Sequence, residues 1–184
     1  MTTTSAEHSG ALRHARHLAL HAMLAVTALI VCPAVLAEGT LEVKGDSVAG
    51  RTFALQDFAA LPQTELTETR GVGTSGPQET LQVRWGGVLL RDVLTAVDFR
   101  EKQQRDFRRT LIIARARDGY VALFTWGELY NTKLGDSILI ITSRDGKPLT
   151  DLEGPYALRA LADIRPGPRH VKWLEQIQVE TVKP

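Results

Sequence analysis

The feature that most constrains this chain is an almost wholly apolar run, Leu18 to Leu36, broken only by His21, Thr27 and Pro33. A mostly polar segment with Arg13 and Arg16 precedes it, and Val35-Leu36-Ala37 puts small residues at −3 and −1 of a cut before Glu38. Positive region, apolar region and small-residue site form the pattern of a secretory signal, so 1–37 is expected to be removed. A membrane anchor is the rival reading, because the run nearly reaches the roughly 20 residues that a span needs. Pro33 and the Ala37 site favour cleavage. A lipoprotein signal at Leu29-Ile30-Val31-Cys32 is disfavoured by Val31, where a small residue is required.

Cleavage would leave residues 38–184 and would take Cys32, His8, His14, His17 and His21 with it. The mature chain then has no Cys and one His, His170. Without disulfides its core must hold it alone, which a domain of about 150 residues can do by burying roughly 70% of its unfolded surface. A zinc site of Cys and His is excluded by count, and so is haem held by Cys-x-x-Cys-His. A Ser-His-Asp triad would have to use His170, in the Pro/Gly-rich stretch Pro166-Gly167-Pro168-Arg169-His170. The whole chain carries 22 Lys+Arg against 21 Asp+Glu, which argues against a protein built on phosphate-backbone contacts.

Short alternating or apolar segments predict strands at 40–44, 51–55, 64–69, 81–84, 110–115, 120–124, 137–142, 156–161 and 174–179. Asp57 is read as the N-cap of one helical turn ending before Pro62. Leu89, Leu90, Val93, Leu94 and Val97 recur at helical spacing, predicting a helix over 89–98. Thr125-Trp126-Gly127-Glu128 is a capping box opening a short helix. Residues 71–77 read as a long turn and 101–109 as an exposed charged stretch. Many short strands without a βαβ rhythm predict a β-rich α+β fold, a single domain with a few short helices.

Five segments in order carry a resemblance: Trp85-Gly86-Gly87-Val88-Leu89-Leu90-Arg91-Asp92-Val93-Leu94, Asp118-Gly119-Tyr120, Asp145-Gly146-Lys147-Pro148-Leu149, Glu153-Gly154-Pro155-Tyr156 and Val171-Lys172-Trp173-Leu174. Together they resemble the molybdopterin-binding domain of the sulfite oxidase family. In that family a Cys thiolate binds molybdenum near the end of the strand before the Trp-x-Gly-Val segment. Here that stretch is Thr64-Glu65-Leu66-Thr67-Glu68-Thr69-Arg70-Gly71, with no Cys. The chain is more similar to periplasmic pterin-binding signalling proteins of the PruR type. That resemblance implies a reduced, tetrahydropterin-like ligand and no molybdenum. It also implies, as partner, the periplasmic domain of a membrane protein of the GGDEF/EAL type that makes or degrades cyclic di-GMP. The alternative it leaves is a molybdopterin-dependent oxidoreductase with a non-Cys metal site. A third option is an interaction domain with a filled pocket.

A pterin asks for a carboxylate at its 2-amino/N3–H edge, a donor at its 4-oxo group and an aromatic face. The candidates are Trp126 and Glu128 at a helix start, Arg117, Asp118 and Tyr120 in a hairpin turn, Arg70 at a strand end, and Asp163, Arg169 and His170 in the Pro/Gly loop. Each also has a plainer reading. Trp126 can be core, Glu128 can merely complete its capping box, and Arg117-Asp118 can be a solvated turn. Arg70 can be a surface residue. Trp85 and Trp173 are read as structural.

Overall fold

The computed structural model describes residues 39–72, 79–99, 104–165 and 167–184. The expected signal segment and most of the 71–77 turn lie outside these residues. Two sheets form the domain. The first has the order β2 (Arg51–Phe53), β1 (Leu41–Gly45), β11 (Leu174–Thr181), β5 (Thr110–Ala116), β6 (Val121–Thr125). The second has the order β10 (His170–Val171), β9 (Ala157–Ala160), β7 (Ile138–Arg144), β4 (Glu79–Leu89), β3 (Thr64–Val72), with β8 (Lys147–Pro148) beside β7. All pairs are antiparallel except β1 with β11. The expected α+β, strand-rich architecture is what forms, with short helices α1 (Leu55–Ala59), α2 (Leu90–Ala96) and α3 (Trp126–Tyr130). No helix among the described residues is long and apolar enough to cross a membrane.

The main core lies where Leu41, Val43, Ile112, Ala114, Ile177 and Val179 of the first sheet meet Val88, Ile138, Ile140 and Leu158 of the second. Phe58, Leu90, Val93, Leu94 and Leu129 of the helices close it. The other face of the second sheet buries a smaller cluster, Val83, Trp85, Leu89, Leu139, Ile141 and Ala157. This explains the unbroken run Ile138-Leu139-Ile140-Ile141: successive side chains point to opposite faces, and both faces are buried.

Local details correct several expectations. Asp57 is not the N-cap of α1. The cap position is Ala54, and Asp57 sits three residues on, where its carboxylate accepts from the Ala54 N–H at 2.7 Å. The strand expected at 81–84 runs through Trp85-Gly86-Gly87-Val88 to Leu89, and the helix starts one residue later than predicted. Gly87 is required there because a Cβ would lie 2.0 Å from the Ile140 carbonyl oxygen, beside a register shift between β4 and β7. Residues 104–109 form a 3-10 turn in which Asp106 and Arg109 pair half-buried, rather than a wholly exposed stretch.

Candidate functional site

Strand alternation assembles the polar centre of the molecule. On β3, Leu66, Glu68 and Arg70 are two apart and share a face; cross-strand partners are Trp85 for Leu66 and Val83 for Glu68. On β9, Leu158 and Ala160 enter the main core, which turns Ala157 and Arg159 to the opposite face. Arg159 is paired across strands with His170 of β10 on one side and Leu139 of β7 on the other. Glu68, Arg70, Trp85, Arg159 and His170 therefore meet on one face of the second sheet, among the residues of the smaller apolar cluster.

Glu68 and Arg159 are 7% and 3% exposed, two of the three buried polar residues among those described. One Glu68 oxygen accepts from Arg159 at 2.7 Å. The other accepts from the Trp85 indole N–H at 2.9 Å and from Arg70 Nε at 2.8 Å. Burial pushes the Glu68 carboxyl up, but these three donors outweigh it and hold the group below its ordinary range. Burial pulls Arg159 down, opposed by Glu68. The guanidiniums of Arg70, Arg144 and Arg159 lie 5.3, 5.4 and 5.5 Å from the Trp85 ring centroid.

His170 Nδ1 lies 2.8 Å from Arg159 Nη1. A guanidinium only donates, so Nδ1 must accept and the ring proton of neutral His170 sits on Nε2. Burial first, then the charges of Arg159, Lys172 and Arg70, lower the His170 pKa to about 4, so the ring is neutral near pH 7. Among the described residues, three buried nitrogens of this cluster have no hydrogen-bond partner: Arg70 Nη2, Arg159 Nε and His170 Nε2. All three are donors. Two guanidiniums share one carboxylate, so the centre carries excess positive charge and excess donors. Arg144 also lines a cleft of about 610 Å³ with Lys147, Leu149, Leu152, Glu153 and Lys172.

Arg169, Asp163 and Glu128 come together differently. Arg169 binds both Asp163 oxygens, at 2.8 and 2.5 Å, and donates to Glu128 at 2.7 Å. Its guanidinium lies 5.0 Å from the Phe124 ring centroid. The bonds that Arg169 donates to Asp163 raise its pKa, against burial. The second Glu128 oxygen completes the expected capping box by accepting from the Thr125 N–H at 2.8 Å. This network is closed, and it clips the loop between β9 and β10 to the start of α3. Trp126 is committed to an aromatic ladder, stacked 4.3 Å from Phe107 and 5.6 Å from Tyr130, which in turn stacks on Phe99.

The hairpin residues form a third group. Asp118 accepts from the Tyr120 N–H at 3.0 Å, and the Tyr120 hydroxyl donates to the Pro168 carbonyl at 2.7 Å. The Arg117 guanidinium lies 5.9 Å from the Trp173 ring, beside a cleft of about 540 Å³ that both residues line. Trp173 holds a left-handed backbone (φ 47°) packed against Gly154 (φ 83°).

Of the nine expected site residues, Arg70 and His170 stand in the donor-rich cluster, and Arg169, Glu128 and Asp163 in the closed clip. Trp126 stands in the ladder, and Arg117, Asp118 and Tyr120 at the hairpin. Glu68, Trp85, Arg144 and Arg159 complete the cluster and were not expected there. A signal existed for two of them: Arg159 is a lone charge inside the apolar strand Ala157-Leu158-Arg159-Ala160, and Glu68 stands two residues from Arg70.

The model of the oxidoreductase molybdopterin binding domain matches residues 31–184. Fourteen solved chains match, among them the sulfane dehydrogenase SoxCD from Paracoccus pantotrophus, with a TM-score of 0.60 and 14% identity. That match covers 79% of this chain and 39% of the SoxCD chain. No curated protein matches in sequence.

Proposed function

Because the chain belongs to the oxidoreductase molybdopterin-binding domain family, we propose that it is a pterin-binding protein whose ligand is received by the Glu68–Arg70–Arg159–His170 cluster. The carrying observation is the trio of partnerless buried donors, Arg70 Nη2, Arg159 Nε and His170 Nε2. A buried donor without a partner costs about 1–3 kcal/mol, so three in one place call for a ligand rich in acceptors. A pterin offers its 4-oxo group and ring nitrogens. The Glu68 carboxylate already holds three donors, so the cluster reads the acceptor edge of the ligand and not its 2-amino edge.

The donor set fits a pterin and does not fit molybdenum. A soft metal asks for thiolate, and residues 39–184 contain no Cys. Glu68 cannot serve both three donors and a metal. In this reading the protein acts as a binder and is exported to the periplasm by cleavage before Glu38. It reports a reduced pterin to the periplasmic domain of a membrane enzyme that makes or degrades cyclic di-GMP. Support for that role is the resemblance of the five motifs together with the thiolate-free site. The test is to purify the protein from the periplasm of a host competent in both pterin and molybdenum-cofactor synthesis. Stoichiometric fluorescent pterin without molybdenum is the expected result. A ligand-free protein that also ignores added reduced pterin, or one holding stoichiometric molybdenum, overturns the reading.

A further inference from the structure

The cleft of about 540 Å³ lined by Arg117 and Trp173 shares no residue with the donor-rich cluster. Three backbone irregularities meet at its wall. Trp173 is left-handed at φ 47°, a conformation that a bulky side chain rarely adopts. Gly154, also left-handed at φ 83°, makes room for it, since a Cβ there would lie 2.8 Å from the indole Cδ1. And β11 bulges: Leu174 pairs with Ala116 but Gln176 with Arg115, so two residues of β11 answer one of β5. The bulge turns both Glu175 and Gln176 away from the core, between buried Leu174 and Ile177. Trp173 is tied at every polar group. Its N–H donates to the Glu153 carbonyl at 2.7 Å, its carbonyl accepts from the Arg117 N–H at 2.9 Å, and its indole N–H donates to the Asp151 carbonyl at 2.7 Å. Strain held this fully, and bulges, gather at binding sites because they aim side chains that a regular strand cannot.

Charge is sorted across the same cleft. Glu42, Gln176 and Arg115 stand in register on β1, β11 and β5, with the acid at one side and the base at the other. The acid is already answered: Glu42 Oε2 accepts from Lys44 at 2.8 Å and from Gln176 at 2.7 Å. The bases are not. Arg115 makes one long bond, from Nε to Gln178 at 3.4 Å, and Arg117 lies 5.9 Å from the Trp173 ring centroid. Among the described residues neither guanidinium pairs with a carboxylate, and both are exposed, two residues apart at the end of β5. Two forks without acids, beside a half-buried indole, match a flat ligand that carries an oxyanion.

We propose that this cleft is a second binding site, for a small aromatic anion. The carboxylate or phosphate of the ligand lies between Arg115 and Arg117, and its ring packs against Trp173 and Pro155.

The experiment is an NMR titration of the purified protein, read at the Trp173 indole N–H, with benzoate, phenyl phosphate, acetate and benzylamine as probes. Saturable one-to-one shifts are expected with benzoate and phenyl phosphate, and the tighter of the two identifies the charged group. Acetate should bind at least about ten-fold more weakly, for want of a ring, and benzylamine should not bind. Arg117→Met should weaken benzoate by about ten-fold or more, as loss of a charge-assisted fork does. Arg117→Lys keeps the charge without the fork and should still cost about three-fold. Glu175→Gln removes a like charge and should tighten binding by about two-fold, more at low salt than at high salt. Benzoate binding should be unchanged in Arg159→Met, which separates this site from the cluster. Overturning results are no saturable shift with either aromatic anion, full binding by Arg117→Met, acetate as tight as benzoate, or a preference for benzylamine. Benzoate binding that disappears in a folded Arg159→Met assigns the anion to the cluster and equally overturns the proposal.

Discussion

The molecule contains two arginine–carboxylate networks that end in opposite states. At the clip, one guanidinium meets two carboxylates, and Arg169 spends its donors on Asp163 and Glu128. At the cluster, two guanidiniums meet one carboxylate, and three donors are left over. The clip is also wetter: Arg169 is 21% exposed, against 3% for Arg159. A satisfied, half-exposed network stabilises a loop. An unsatisfied, buried one is retained at a cost, and the cost is offset when a ligand supplies the missing acceptors.

The sharpest way to break this contrast is Arg159→Met. It should weaken reduced-pterin binding by about ten-fold or more, the equivalent of one lost charge-assisted hydrogen bond from its free Nε, as read by calorimetric titration. The largest effect on stability is that of Glu68→Leu. With the carboxylate gone, buried Arg159 loses its partner and faces half-buried Arg70, which should destabilise the fold by about 3 kcal/mol in urea titration. Arg169→Leu should behave oppositely to Arg159→Met. It should cost about 1–2 kcal/mol of stability, because it leaves Asp163 and one Glu128 oxygen without their donor, and should leave pterin affinity within about two-fold, a change too small to signify a lost hydrogen bond. Equal losses of affinity in the two arginine variants would erase the distinction between the networks.

A smaller effect follows from His170. Its folded pKa of about 4 is below the ordinary value of 6.5, so between these values the unfolded chain binds more protons than the folded one. Stability from this group is complete above pH 6.5 and is lost as pH falls toward 4. Allowing for partial solvent access, the loss is on the order of 1–2 kcal/mol, and His170→Gln should flatten that part of the profile. The smallest effect expected is that of Thr125→Ala, which removes the cap of α3 at a cost of about 1 kcal/mol without touching the ligand site.

Local chemistry was legible in the sequence, and long-range convergence was only partly so. The capping box at Thr125 and Glu128, the hairpin turn at Asp118-Gly119 and the doubly buried run of β7 all follow from spacing over a few residues. The α+β class and the family likewise follow from the order of short segments and motifs. Arg70 was singled out at the end of the strand where the family's thiolate stands and His170 in the Pro/Gly loop, but their common partners were not. Arg159 sits 91 residues from Glu68, and Trp85 17 residues from it, so only sheet order and register bring them together. Trp85, read as structural, is indeed fully buried, yet its indole N–H is part of the polar network. Conversely, the Pro/Gly loop displayed arginine and acid together, and the sequence gives no sign that Arg169 would satisfy Asp163 and Glu128 and close on itself.

The central claim is that the cluster, and not the clip, receives a pterin without a metal. The most direct measurement is an anaerobic calorimetric titration of reduced pterin into metal-free wild-type protein, Arg159→Met and Arg169→Leu. The account predicts one-to-one binding by the wild type and by Arg169→Leu, and binding weakened by about ten-fold or more in a folded Arg159→Met, as loss of one charge-assisted hydrogen bond requires. Binding that survives in Arg159→Met and disappears in Arg169→Leu, or that appears only after molybdenum is supplied, would contradict it.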